Sequence, residues 1–228
     1  VCPVGAIIIE QDDFNKIFQY KHRVALLPAV LIGQFPEDVK ATQIYNVLLE
    51  LGFTDVYEAE HGVDVLQNSI KNYITANKEK KPFISSFCPA VIRLIQVKFP
   101  ALVDHIIPLH PPLDIAALYY KQKLIKQGVD ESDIGIFYVT PCAAKIAAVK
   151  SPVGEEKSPI TGVINMDFIF NKVFTSVKRG DFKIVQDQNS KDKLTPEGTL
   201  WSLTNGEADN MDGRCLAIDG VHNVMDFL

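Results

Sequence analysis

Cysteine is scarce in this 228-residue chain: Cys2, Cys88, Cys142 and Cys215 are all there is. No two are close enough to form a zinc knuckle or a redox dithiol. That density at this length does not fit a secreted disulfide framework. The plain reading of each is a reduced thiol, buried as a small apolar residue. Long apolar runs are missing too, and no signal peptide is visible, so no membrane span is expected and a cytoplasmic protein is. Basic charge is short: 23 Lys and Arg stand against 28 Asp and Glu, a net charge of −5. Nucleic-acid backbone binders usually carry a basic face, so none is expected as a partner. There is no glycine-rich phosphate loop. The five histidines (His22, His61, His105, His110 and His222) show no zinc-protease spacing. His105 and His110 lie near a proline turn and read as polar loop residues or as residues lining a cleft.

What is present is alternation. Residues 23–35 start as an apolar strand that Pro28 ends, and residues 36–52 read as a helix with Pro36 in its first turn and Gly52 at its stop. Residues 54–60 form a short strand. Residues 62–80 carry Val63, Leu66, Ile70, Tyr73 and Ile74 at helical spacing. A strand is expected at 82–87 and a helix at 89–99, then a helix at 114–128 and a buried strand at 133–142. Residues 162–174 give another strand and helix. Residues 178–210 are polar and weakly periodic, so mostly loop is expected, anchored by Leu200, Trp201 and Leu203. A strand at 214–220 and the start of a helix close the chain. Strands alternating with helices imply an α/β fold with parallel sheets covered by helices. The expected architecture is two lobes, each a small mostly parallel sheet flanked by helices, with the active-site cleft between them.

Two cysteines fall where ligands sit in such folds, at the carboxyl ends of strands. "FISSFCPAV" puts Cys88 between a strand and a helix, and "VTPCAAK" does the same for Cys142. Each is beside a proline, and each turn opens a helix whose free N–H groups favour an anionic partner. Two such placements, one in each half of the chain, are harder to ascribe to chance than one. Cys2, in "VCPVGAI", has the form of the end of a bacterial iron–sulfur run, whose last cysteine precedes proline.

The run ending in "SSFCP" resembles the first cysteine motif of the [FeFe] (iron-only) hydrogenase large subunit, and "TPCAAK" resembles the second. Their order, and the "HPPL" and helix between them, resemble that family as well. The resemblance implies that Cys88 and Cys142 are ligands of a [4Fe-4S] cluster bridged to a diiron centre. It implies that Lys145 hydrogen-bonds a cyanide on that centre. Cys2 would belong to a separate ferredoxin-type cluster. Residues 1–9 would then be the tail of a ferredoxin-like segment, 20–108 the first lobe and 109–228 the second, cut short at its C-terminus. A ferredoxin-like domain or other electron carrier is the implied partner, with signalling domains in a longer chain.

The chain also departs from the family. Phe87 stands where catalytic members have a proton-relaying cysteine, Thr140 where they have methionine, and Ala148 where they have a glutamate of the proton path. The third cysteine motif is absent, and Cys215 in "RCLAI" reads as a buried strand residue rather than a substitute. Two thiolates do not make a four-thiolate set, so this chain by itself is expected to be apo and inactive. The expectation is a hydrogenase-like domain in hydrogen or redox sensing or electron transfer. If active, it would interconvert H2 with protons and electrons. The alternatives are a non-catalytic regulatory domain that keeps the fold without diiron, and a thiol enzyme using Cys88.

Overall fold

The computed structural model describes residues 10–152, 157–180, 182, 194–203 and 205–228. In chain order its strands are β1 (His22–Leu27), β2 (Asp55–Glu58), β3 (Ile134–Thr140) and β4 (Gly162–Asn165). Its α-helices are α1 (Ala29–Ile32), α2 (Ala41–Glu50), α3 (His61–Ala76), α4 (Pro89–Lys98), α5 (Pro112–Lys126), α6 (Ala143–Lys150), α7 (Met166–Arg179), α8 (Pro196–Trp201), α9 (Gly206–Asp209) and α10 (Val221–Phe227). They fall into two compact units. One takes the described residues of Val1–Ala59 and Ala117–Lys193, the other those of Glu60–Ala116 and Leu194–Leu228. The units are interleaved along the chain, where the sequence reading had two successive lobes.

The first unit is built on a four-stranded parallel sheet in the order β2-β1-β3-β4. All seven residues of β3 and the last four of β1 are buried. Central parallel strands lie between two helical layers, so apolar residues are needed on both faces. One face, with Ala25, Leu27, Phe137 and Val139, packs on Ile44, Val47 and Leu48 of α2 and on Ile169 and Val173 of α7. The other presents Tyr57 to Tyr119 and Tyr120 of α5, with ring centroids 6.2 and 4.7 Å apart. Helix α7 is bracketed as its sequence requires. The Asn165 side chain accepts the Asp167 N–H at its start, and Gly180 takes the left-handed conformation (φ 67°) at its end.

The outer edge of β4 is closed by side chains in place of a strand. Asp12 Oδ2 accepts the Val163 N–H at 2.8 Å, and Gln11 Oε1 accepts the Asn165 N–H at 2.7 Å. Asp12 N–H donates to Val163 O at 2.9 Å. Lys16 Nζ then bridges Asp12 Oδ1 and Thr161 O, both at 2.9 Å. Burial pushes the Asp12 carboxyl up. The Val163 N–H and the ammonium groups of Lys16 and Lys150 outweigh it and hold the carboxyl below its ordinary value.

The second unit is mostly helical. Its core gathers Leu66 and Ile70 of α3 with Ile107, and Phe83, Phe87, Leu109, Trp201 and Met211 pack around them. The expected strand at 82–87 is reduced to one parallel bridge, Ile84 to Ile106. Ile84 exchanges backbone hydrogen bonds with His105 and Ile107. The next two residues are serines that bond through their side chains, and the ladder stops. The expected helix at 36–52 begins only at Ala41. Residues 36–39 close a turn instead, and Lys40 N–H donates to Gln43 Oε1 at 2.8 Å. The expected loop at 178–210 holds two short helices, α8 and α9. Trp201 anchors it, as read, while Leu200 and Leu203 are exposed. No helix among the described residues is long and apolar enough to cross a membrane.

Candidate functional site: two cysteine-capped helices

Cys88 is the N-cap of α4 and Cys142 the N-cap of α6. Their backbones are nearly the same, φ −101° and ψ 103° against φ −96° and ψ 110°. The local sequence explains both. Pro89 is pre-set for the first helical position after Cys88. Residues 143–150 of α6 include four alanines, and Ala is the best helix former. The Cys88 carbonyl accepts Ile92 N–H at 3.1 Å, and the Cys142 carbonyl accepts Lys145 and Ile146 N–H at 3.1 Å each.

N-cap positions normally hold Ser, Thr, Asp or Asn, whose oxygen bonds a first-turn N–H. Neither cysteine makes such a bond. Each helix therefore gives up a stabilising cap for a thiol, and each thiol is accessible: Cys88 is exposed and Cys142 half-buried. Both sit at the positive end of a helix, which favours an anionic group.

A hydroxyl just upstream sets each turn. Thr140, fully buried, accepts the Cys142 N–H on its Oγ1 at 3.2 Å. Ser85 Oγ accepts the Phe87 N–H at 3.3 Å, and Ser86 Oγ donates to Leu109 O at 2.7 Å. Ser and Thr commonly bond a backbone N–H two residues on. Sequence reasoning took Thr140 only as a lost methionine and passed over Ser85 and Ser86. The signal was there, a hydroxyl two or three residues before each cysteine. Glu207, whose carboxyl lies near the Ser85 hydroxyl, was also missed, and nothing in its local sequence marks it. Burial pushes the Glu207 carboxyl up from its ordinary value, and the nearby Ser85 hydroxyl offsets part of that.

The other expected residues are placed as follows. Lys145 is the third residue of α6, half-buried. Phe87 is half-buried, and its ring packs on Trp201 with centroids 5.6 Å apart. Ala148 is half-buried in α6. Cys215 is a correction. It is exposed, in a stretch without regular secondary structure or strand pairing. Strand-like composition needs a neighbouring edge to act on, and its unit holds one isolated bridge. His105 donates from Nδ1 to the carbonyls of Lys80 and Pro82, both at 2.9 Å, and so holds a loop. Cys2 and the segment 1–9 lie outside the described residues. Among the described residues no group of three or more His, Cys, Asp or Glu side chains is gathered to hold a metal ion.

The family model of the iron only hydrogenase large subunit, C-terminal domain, matches residues 21–211. The chain belongs to that family. Solved structures agree on the hydrogenase fold. One is the HydA(deltaEFG) structure described as revealing stepwise [FeFe]-hydrogenase H-cluster assembly. It is 19% identical with a TM-score of 0.58, over 76% of this chain and 47% of that one. A variant of HydA1 from Chlamydomonas reinhardtii is 22% identical with a TM-score of 0.55, over 73% and 44%. An apo variant of the same HydA1 is 21% identical with a TM-score of 0.56, over 73% and 45%. The chain thus spans less than half the length of these solved hydrogenases. No curated protein sequence matches it. Within the hydrogenase family, the donors of this domain suit iron–sulfur chemistry in kind, since soft thiolates suit iron. They fall short in number, because such a cluster takes four thiolates and the described turns offer two.

Proposed function

We propose that Cys88 and Cys142 are two thiolate ligands of an iron–sulfur centre of the hydrogenase type, whose remaining ligands come from outside the described residues. The observation that carries this reading is the matched pair of uncapped helix starts, each with an accessible cysteine at the N-cap. A [4Fe-4S] cluster, with or without a diiron unit, would supply the redox chemistry when bound. This chain's part is to hold the thiolates, with Thr140 fixing the Cys142 turn and Ser85 and Ser86 fixing the Cys88 turn. Lys145, three residues after Cys142, would set an ammonium near the anionic centre.

The role proposed is electron transfer or hydrogen and redox sensing, with a ferredoxin-like domain or other electron carrier as partner. The Phe87 ring carries no exchangeable proton and is committed to Trp201. Proton delivery at that point is therefore closed, which favours a slow or sensory centre over rapid turnover. A second reading, a regulatory domain that keeps the fold without iron, is favoured by the lack of a gathered ligand set among the described residues.

Anaerobic reconstitution with iron and sulfide, on the longest polypeptide that carries this chain, separates the two. A reduced [4Fe-4S] signal in electron paramagnetic resonance, lost in Cys88→Ala and in Cys142→Ala, is the expected result. Infrared bands of iron-bound CO and cyanide would add the diiron unit. A cluster indifferent to both substitutions overturns the ligand assignment, and no cluster at all leaves the regulatory reading.

A further inference from the structure

Strand β4 lies at one edge of the sheet, next to β3. Along a strand, successive peptide groups face alternate neighbours. Val163 and Asn165 face outward, so Gly162 and Ile164 face β3. The outward side offers four groups: Thr161 O, the Val163 N–H, Val163 O and the Asn165 N–H. Residues 11–16 take all four. Lys16 Nζ donates to the first, Asp12 Oδ2 accepts the second, the Asp12 N–H donates to the third and Gln11 Oε1 accepts the fourth, at 2.9, 2.8, 2.9 and 2.7 Å. Only the Asp12 N–H bond is backbone to backbone. The edge is thus covered without a further strand.

The same four groups also fit a second copy of themselves. In an antiparallel hydrogen-bonded pair, two opposed residues exchange both N–H···O bonds. Two β4 strands set antiparallel about a two-fold axis at Val163 would pair Val163 with Val163 in this way. The Asn165 N–H of each copy would then meet Thr161 O of the other. Every group that Gln11, Asp12 and Lys16 now occupy finds its complement, with no shift of register. Such a contact closes on itself, and an uncovered strand edge is a template for it.

The cover is anchored and acidic. Ile17, in the 3-10 helix Phe14–Gln19, is fully buried. Lys150 Nζ donates to Glu10 O, and Lys16 Nζ reaches Asp12 Oδ1 at 2.9 Å. Glu10, Asp13 and Asp167 line an open cleft beside the edge. An approaching copy carries the same acids and meets like charge.

We propose that the outer edge of β4 is a latent pairing surface for a second copy of this chain, held shut by Gln11, Asp12 and Lys16. It involves no iron and stands or falls apart from the cysteine pair.

The test joins sedimentation velocity to amide hydrogen exchange by NMR, on dilute and concentrated solutions of the chain. In the parent, Val163 and Asn165 should be equally protected in both. Gln11→Ala combined with Asp12→Ala removes both acceptors. In dilute solution this variant should sediment as a single chain. Its Val163 and Asn165 amides should exchange about fivefold faster, the loss of one hydrogen bond each, while Ile164 stays protected. On concentration its mass should double and the two amides should regain protection. Asp12→Asn alone keeps an acceptor for the Val163 N–H and should remain single throughout. If the double variant does not fold, Gln11→Ala and Lys16→Met replace it, each opening one end of the edge. A folded variant with open Val163 and Asn165 amides that stays single when concentrated overturns the proposal. Association that leaves those two amides exchanging fast overturns it equally, because the contact then lies elsewhere.

Discussion

Two carboxylates, Glu207 and Asp12, sit at opposite ends of what burial does to an acid. Burial raises the Glu207 carboxyl above its ordinary value of 4.5, and the nearby Ser85 hydroxyl offsets part of that. Between the unfolded and the raised folded value the native state holds a proton that the unfolded chain releases, so stability falls as pH rises through that window. Glu207→Gln should therefore unfold at a higher temperature than the parent at neutral pH, with the gap closing in acid; melting curves across that range check it. Asp12 runs the other way. Its folded value lies below the ordinary 3.8, so its contribution is present above that value and lost as pH falls through the folded one. Asp12→Asn should cost about 1–2 kcal/mol at pH 7 and nothing in strong acid, measured by urea unfolding at the two pH values. These roles were not legible in the sequence, since each carboxylate is defined by a partner far along the chain: Ser85 for Glu207, Val163 for Asp12. Cys88 and Cys142 were legible because a helix start is written locally. Cys215 was not, because whether a strand-like run pairs depends on what lies beside it.

At the scale of elements, the cysteine turns depend on the segments that lead into them. Strand β3 ends on Thr140, whose hydroxyl is buried with the Cys142 amide as its partner. Thr140→Val keeps the shape and removes the acceptor. It should cost about 1–3 kcal/mol, the penalty for a buried donor left without a bond, while Thr140→Ser should cost less. Chemical denaturation of the two variants decides it. Strands β1 and β3 were readable because a buried parallel strand is continuously apolar, as in "RVALL" and "IGIFYV". The segment 82–87 has the same look at its start, yet it spends its polar groups on Ser85 and Ser86 side chains and forms only a bridge. Helix α2 starts five residues later than Pro36 implied, because Pro36 serves equally well as the first residue of a turn. A proline marks a boundary but does not say which side of it is helical.

For the molecule as a whole, the single tryptophan is a useful accident. Trp201 belongs to the core around Leu66, Ile70 and Ile107, so its fluorescence reports that unit. Ile70→Ala should destabilise the transition it reports by about 2–4 kcal/mol, a cavity cost for a residue 3% exposed. The α/β class was readable from alternation alone. The grouping of its segments was not, because alternation orders elements along the chain and says nothing of which return to pair. Here β1 pairs with β3, His22 against Ile134, with the whole of α3 and α4 made in between. A ribosome synthesising 5–20 residues per second takes on the order of ten seconds to cover that gap. Throughout that time "VALL" of β1 has at most β2 beside it, and its other edge stays open until β3 emerges. The nascent chain thus carries a long-lived sticky strand, and its yield in a cell should depend on chaperones that bind during translation more than on the stability of the finished fold.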